Sequence, residues 1–438
     1  MIEELGDWRR THWSSEISPE LDGKEVIVCG WVQRIRKLGK LIFVILRDKE
    51  GALQITAHQD KVDSNIFEKL KKLKNEYVIA VKGIVKESVE AKKGVEIVPK
   101  KIKILNTVKF PLPLDPTGKV PAEIDTRLDA RILDLRRPTT FAIFKIRHVV
   151  LQSIRKFFVK NGFIEVNTPK IIATATEGGT ELFPVSYFER VAYLAQSPQL
   201  YKEELTAAFE KVFEIGPVFR AEEHRTTRHL AELIMVDMEE AFATADDVMK
   251  TLEELIICVL REVKEKCTVE LETLNRKLEI PKTPFPRYTY DEILKVLEKE
   301  NMPIPWGEDL PTPAVRKLGE KFKGPYFIVD WPTESKPFYI KPKDNNLKIC
   351  EAFDLMWGWL ELASGGTRIH NKELLIERLR SQGLNPESFK YHLQTFDWGM
   401  PPHAGFGLGL ARLLMIICGV NNIRECVLFP RDVDRLVP

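Results

Sequence analysis

The sequence predicts an α+β protein of two or three domains, a small β-barrel followed by a larger unit centred on an antiparallel hairpin. Three observations carry this. The chain of 438 residues is longer than one ordinary core supports. Residues 24–106 hold five short strand-like runs, with one helix-like run after the third. The stretch Lys211–Phe242 reads KVFEIGPVFR, AEEHRTTRHLA, ELIMVDMEEAF, two strand-forming apolar flanks around a short polar loop.

Composition sets the bounds. Charged residues make up 30% and apolar residues 44%, the balance of a soluble globular chain. A net charge of +2 means that any nucleic-acid contact must rest on a local basic face. Cys29, Cys258, Cys267, Cys350, Cys418 and Cys426 form no CxxC pair and mostly sit in apolar runs. That argues for buried thiols in a reducing compartment rather than a disulfide framework or zinc site. No signal peptide opens the chain, and no apolar run nears the length of a membrane span, so a cytoplasmic protein without a membrane partner is expected.

In the first domain, strands are predicted at Val26–Val32, Ile42–Leu46, Leu53–Ala57, Val78–Val85 and Val95–Ile104. Ile66, Phe67, Leu70 and Leu73 give Ser64–Leu73 a helical face. Five strands with a helix after the third is the order of an OB-fold, a frequent binder of single-stranded nucleic acid. Phe43 could stack on a base and Gln54 could bond its edge, with Arg34, Arg36, Lys37 and Lys40 as phosphate cations. Core packing for Phe43 and a solvated loop for the cations explain the same residues equally well.

Pro111, Pro113, Pro116 and Pro121 mark a linker over 108–137, and the Arg- and Asp-rich run Asp125–Arg137 suggests a hinge packed by ion pairs. A helix follows, with Ile143, Ile146, Val150, Ile154, Phe157 and Phe158 on one face and Asn161-Gly162 as its stop. Phe163–Val166 then leads to Pro169; a subunit interface and plain core fit this pattern alike. Ala173–Thr180 reads as a small-residue loop whose one charge is Glu177, and Gln196–Lys202 as a helix start with Gln199 and Lys202 facing one way.

In the hairpin's second strand, Ile234, Val236 and Met238 share one face, while Asp237 and Glu239 share the other with Leu233 and Met235. Burying that acidic face demands cationic partners. Arg220, Glu222, Glu223, His224, Arg225, Arg228 and His229 crowd the loop. They suit a ligand with phosphates, a metal and an amine, or a solvated tip with surface ion pairs. Thr244–Asp247 opens a further helix with a capping-box pattern. Residues 267–345 carry little periodicity and are expected to be a peripheral insertion. Asp354, Glu361 and Ser364 offer hard oxygen ligands of the kind magnesium accepts, or are strand-edge polar groups. The run Pro401–Arg412 is glycine-rich, but with no following βαβ unit it is not a dinucleotide fingerprint. Close backbone approach to a nucleotide beside Arg412 is the remaining reading.

A strand-proline segment ending at Pro169, the FRAEE…RH hairpin and GFGLGLARL occur in the order of motifs one, two and three of the class II aminoacyl-tRNA synthetases. The finer resemblance is to aspartyl-tRNA synthetases of the archaeal and eukaryotic type, through ATEGGTELF, QSPQLYK and GMPPHAGFGLG, and it covers essentially the whole chain. The resemblance implies a six- or seven-stranded antiparallel sheet flanked by helices, an N-terminal OB-fold and a homodimer. It places an anticodon-binding domain at 1–107, a hinge at 108–137 and a catalytic domain at 138–438, with the insertion at about 267–345.

It also implies roles. Lys202 and Arg368 would hold the side-chain carboxylate of aspartate, with Glu177, Gln199 and Asp237 around its amino group and Ser364 beside it. Arg220 would contact the α-phosphate and the reacting carboxylate. Glu222, Arg228, His229, Leu230, Glu361, Gly409, Leu410, Ala411 and Arg412 would contact ATP, and Glu361 and Ser364 would bind Mg2+. Phe43 and Gln54 would read the middle anticodon base, with Gln33, Arg36 and Lys92 nearby and Glu96 as a weaker parallel. tRNA(Asp) is the implied nucleic-acid partner, and the resemblance leaves open whether tRNA(Asn) is charged as well. The chain departs from the family pattern at Leu233, where an aromatic residue is common, at Ala411, where an acid is common, and in its less basic ending. Gln33 and Lys92 form a mixed pair at positions tied to tRNA choice. The rival readings are an asparagine enzyme, disfavoured by two pocket cations; a lysine enzyme, which would need acids there; and a catalytically idle RNA-binding paralogue.

Overall fold

The computed structural model describes residues 2–173, 182–223 and 226–438. The chain divides into two compact units, Met1–Pro113 and Leu114–Pro438.

The first unit is a closed barrel of β1 (Glu25–Leu38), β2 (Leu41–Asp48), β3 (Gly51–His58), β4 (Val78–Glu87) and β5 (Val95–Asn106), with α1 (Ser64–Lys72) after the third strand. Period-two alternation turns Ile42, Val44 and Leu46 into the barrel and leaves Phe43 and Ile45 half-buried on its outer face. Phe43 is therefore not core. Asp63 caps α1 by accepting from the Asn65 N–H, and Phe67 and Leu70 plug the barrel. Each strand outruns its apolar run, because ladder hydrogen bonds continue through polar residues such as Arg34 and Arg36, paired with Ile45 and Phe43.

The second unit is a sheet flanked by helices. Its strands are β6 (Ile164–Glu165), β7 (Lys211–Phe219), β8 (Glu232–Ala241), β9 (Arg287–Thr289), β10 (Pro325–Val329), β11 (Ala352–Trp357), β12 (Leu360–Thr367) and β13 (His403–Gly409), in the order β9-β10-β11-β12-β13-β8-β7-β6. The six central strands are antiparallel, while β6 and β9 pair in parallel at the two ends. The sheet is therefore mixed, with one more strand than the antiparallel estimate allowed. The reason is local: helices lie between β6 and β7 and between β9 and β10, and a helical crossover returns the chain in the same direction.

Helices α2 (Pro138–Lys160) and α4 (Ala245–Lys266) pack their apolar faces on the sheet. Asn161 ends α2, and Gly162 follows at φ +81°. The Thr244–Asp247 cap forms as expected, with the Thr244 N–H and hydroxyl both donating to Asp247. Two expectations need correcting. From Leu114 onward the supposed hinge belongs to the second unit, with short helices at Ile124–Asp129 and Arg131–Asp134. Its ion pairs are there, centred on buried Asp134, which meets Arg127 at 2.8 Å and also pairs with Arg131. Residues 267–345, expected as a peripheral insertion of the catalytic domain, supply two strands of the main sheet, β9 and β10, and much of a second apolar core around Tyr290, Tyr326 and Phe338. Aromatic residues spaced by prolines pack well but show no single period, which hid these elements.

Candidate active site

The acidic face of β8 finds its partners. Helix α3 (Gln199–Phe209) turns Gln199, Lys202, Glu203 and Thr206 inward, a stripe at helical spacing. Lys202 Nζ lies 3.0 Å from Asp237 Oδ1 and 3.4 Å from Glu239 Oε2, and Arg368 Nε donates to Glu239 Oε1 at 2.9 Å. All four residues are buried. Two cations and two carboxylates thus alternate, which is how buried charge is tolerated. Burial works against the charge on Arg368, but Glu239's charge and hydrogen bond prevail and raise its pKa.

The glycines of β13 make this packing possible. Gly405 lies opposite Glu239, and a Cβ there would stand 2.1 Å from Glu239 Oε2. Gly407 lies opposite Asp237, where a Cβ would meet Oδ1 at 3.1 Å. The close backbone approach read from the glycine run is therefore first an approach to carboxylates of the neighbouring strand. One cross-strand row, Asp237–Gly407–Ser364–Asp354, runs over four adjacent strands.

Above the row lies a cavity of about 430 Å³. Gln199, Arg220, Asp237, Glu361, Ser364, Arg368, Gly409 and Arg412 all line it, so four sequence-distant segments converge. Arg412 opens α5 (Leu410–Cys418) and donates through Nη1 to the Glu361 carbonyl at 2.9 Å. Leu233, Met235 and Leu362 give one side an apolar surface that suits a flat base without an aromatic stack.

Other expected residues lie elsewhere. Lys202 stands behind Asp237, outside the lining. The side chains of Leu230, Leu410 and Ala411 belong to the apolar core, so contact with a nucleotide there could come only from their backbone. Arg228 donates to Thr312 Oγ1 at 2.7 Å and faces the Trp359 ring. Glu222 lies 3.8 Å from both Arg220 and His229. His229 lines a smaller cavity of about 190 Å³ with Thr226, Asn422 and Arg424. Glu177, His224 and Arg225 fall outside the described residues.

The oxygen donors fit a hard cation. Asp354 Oδ1 is buried without a hydrogen-bond partner among the described residues, and it neighbours Ser364 across the strands. No group of three His, Cys, Asp or Glu residues able to hold a metal occurs among the described residues. A few protein oxygens supplemented by ligand phosphates is the manner in which Mg2+ is commonly held. Sequence reasoning missed Lys336, which lines the cavity and meets Asp354 Oδ2 at 2.7 Å, and the buried set Glu203, His392 and His403 behind Gln199. Lys336 sits in the aperiodic stretch. Glu203 could have been found from its place one turn beyond Gln199.

On the barrel, two cross-strand rows form a candidate nucleic-acid face: Arg36–Phe43–Thr56 and Arg34–Ile45–Gln54. Gln54 Nε2 donates to Glu96 Oε2 at 3.0 Å, and Thr56 Oγ1 donates to the same oxygen at 2.6 Å. Lys37 is tied to the Lys71 carbonyl and Lys40 to Asp60. Gln33 sits at the irregularity in β1, and Lys92 is exposed in the turn between β4 and β5.

Residues 123–433 match the family model described as tRNA synthetases class II (D, K and N), and residues 26–105 match the OB-fold nucleic acid binding domain. The chain belongs to the class II tRNA synthetases. It is similar to proteins named aspartate--tRNA(Asp/Asn) ligase, at 54% identity to that of Methanothermobacter thermautotrophicus (99% of this chain, 100% of the relative) and 55% to that of Archaeoglobus fulgidus (97% and 99%). Among solved structures, the synthetase resembles asparaginyl-tRNA synthetase from Pyrococcus horikoshii complexed with asparaginyl-adenylate, with TM-score 0.93 and 35% identity over 98% of this chain and 100% of that one. A putative aspartyl-tRNA synthetase from Leishmania major gives TM-score 0.90 at 28% identity over 100% and 96%. The synthetase has no helix long and apolar enough to cross a membrane among the described residues.

Proposed function

We propose that this synthetase ligates L-aspartate to tRNA(Asp), and also to tRNA(Asn), through an aspartyl-adenylate. One observation carries the choice of amino acid: Arg368 lines the cavity with Lys202 close behind it, both fixed by buried acids. Ammonium and guanidinium groups only donate, so a carboxylate meets them with two acceptor oxygens, whereas a neutral amide would turn an NH2 donor against them. The names of the relatives support the same reading and extend it to tRNA(Asn).

In this reading Arg368 binds the side-chain carboxylate, with Lys202 adding its charge from behind Asp237, while Gln199, Asp237 and Glu177 bind the ammonium. Arg220 holds the reacting carboxylate against the α-phosphorus and answers the charge that develops there. The carboxylate attacks in line and pyrophosphate leaves, so positioning and charge stabilisation suffice without a protein nucleophile. Glu361 and Ser364, with Asp354 beside them, would hold Mg2+, which would supply charge neutralisation on the phosphates. Leu233 and Met235 face the adenine, and Arg412, Arg228, His229 and Glu222 serve the rest of ATP. The terminal adenosine hydroxyl of the tRNA then attacks the adenylate. The barrel reads the anticodon through Phe43 and Gln54. The working form is a cytoplasmic homodimer, for which the exposed Val159 of α2, Ile164 of β6 and nearby Ile171 offer apolar surface.

The test is ATP–pyrophosphate exchange without tRNA, with aspartate, asparagine and lysine in parallel. Exchange with aspartate alone is expected, and Arg220→Ala should cut it by orders of magnitude without unfolding the chain. Exchange with asparagine alone would overturn the pocket reading, and no exchange with any of the three would favour an RNA-binding paralogue.

A further inference from the structure

Glu203 takes no part in the reaction just described, yet it is among the most buried charges of the second unit, at 0% exposure. It lies one turn beyond Gln199 on α3, and Gln199 Nε2 donates to Glu203 Oε1 at 2.6 Å. On its other side, Glu203 Oε2 faces His403 Nε2 at 3.5 Å and His392 Nε2 at 3.7 Å. His403 is itself held through Nδ1 against the Pro401 carbonyl at 2.7 Å, and His392 Nδ1 meets Glu204 at 3.0 Å.

A carboxylate accepts hydrogen bonds and donates none. A 2.6 Å contact to it therefore admits only the amide nitrogen of Gln199, since the carboxamide oxygen would meet another lone pair. With Nε2 held on Glu203, the amide orientation is set, and Oε1 is the acceptor Gln199 can offer a ligand in the cavity it lines. That oxygen is an acceptor, suited to an ammonium and not to a carboxylate.

The geometry points to Glu203 as a positioning residue that sets the amide orientation of Gln199 and thereby tunes recognition of the amino acid's α-ammonium. This rests on the reading of the cavity as an aminoacyl-adenylate site. Glu203 does not touch substrate: it acts through Gln199, with His403 and His392 facing its other oxygen. Without it, the amide is free to turn its NH2 toward the substrate ammonium, where donor would face donor.

The test compares two ligands on the full chain, the sulfamoyl analogue of aspartyl-adenylate and its desamino counterpart carrying a succinyl group. Their affinity ratio reports what the ammonium contributes. In the wild type the amino form should bind at least tenfold tighter. Glu203→Met should shrink that ratio about tenfold while the desamino ligand binds as before. Glu203→Gln, which keeps an acceptor oxygen without the charge, should fall between the two and guards against a misfolded Met variant. A ratio near one in the wild type, an unchanged ratio in both variants, or an equal loss for both ligands would overturn the proposal. Failure of the wild type to bind either ligand would instead overturn the adenylate-site reading itself.

Discussion

Lys202 Nζ lies 3.0 Å from Asp237 Oδ1 although 35 residues separate them, and the pair is shut away from solvent beneath the cavity. Removing one member leaves the other without its nearest countercharge in a dry setting. Lys202→Met should destabilise the second unit by about 3–5 kcal/mol, read by denaturant unfolding. It should also abolish aspartate-dependent exchange. A variant as stable as the wild type would show that Arg368 alone suffices for both acids.

The Glu203–His403 pair gives stability a pH signature. Burial opposes the charge on His403, but the hydrogen bond and charge of Glu203 outweigh it and raise the pKa above the ordinary 6.5. Burial likewise opposes ionisation of Glu203, and His403 and His392 outweigh it, lowering the pKa below the ordinary 4.5. The His403 contribution is full below its unfolded pKa and fades as pH rises through the raised folded value. The Glu203 contribution is full above its own unfolded pKa and fades as pH falls through the lowered one. Unfolding free energy should therefore decline above pH 6.5 more steeply in the wild type than in His403→Asn. Parallel curves would remove the pair from the pH dependence.

Phe43 faces Thr56, one cross-strand row from Gln54, on the outer barrel face, so its loss should touch RNA and not the core. Phe43→Ala should cost about 1–3 kcal/mol of tRNA binding, the worth of one stacked base. Gln54→Ala should weaken binding further, with adenylate formation unchanged in both. Full tRNA affinity in the double variant would take the anticodon away from this face.

The thiols should be quiet. Burial pushes Cys267 and Cys350 up to about 11 and Cys418 up to about 12, and holds Cys426 well above the ordinary thiol value. Thiolate is the reactive form. Burial raises Cys29 as well, so iodoacetamide at pH 8 should alkylate native protein first at Cys258 and more slowly at the half-buried Cys29. Rapid labelling of the other four, read by mass spectrometry, would contradict this packing.

The barrel was legible because each strand alternates against a single core, and α1 announces itself by helical spacing. The hairpin β7–β8 was legible for the same reason, and its two acids demanded cations that the sequence could not locate. QSPQLYK, FRAEE and GFGLGLARL stood out through their resemblance to a family, and one cavity joins them. What the sequence withheld was everything that depends on which strands become neighbours. The parallel strands at the sheet's ends, and the second core from residues 267–345, arise from crossovers and from aromatic packing without a period. Only the fold placed Gly405 and Gly407 over Glu239 and Asp237, or turned Glu203 toward two histidines from another segment. Local propensity and spacing act over a few residues and can be read along the chain. Pairing of buried charges is decided by the cost of leaving one alone in a dry interior, and that cost exists only once distant segments meet.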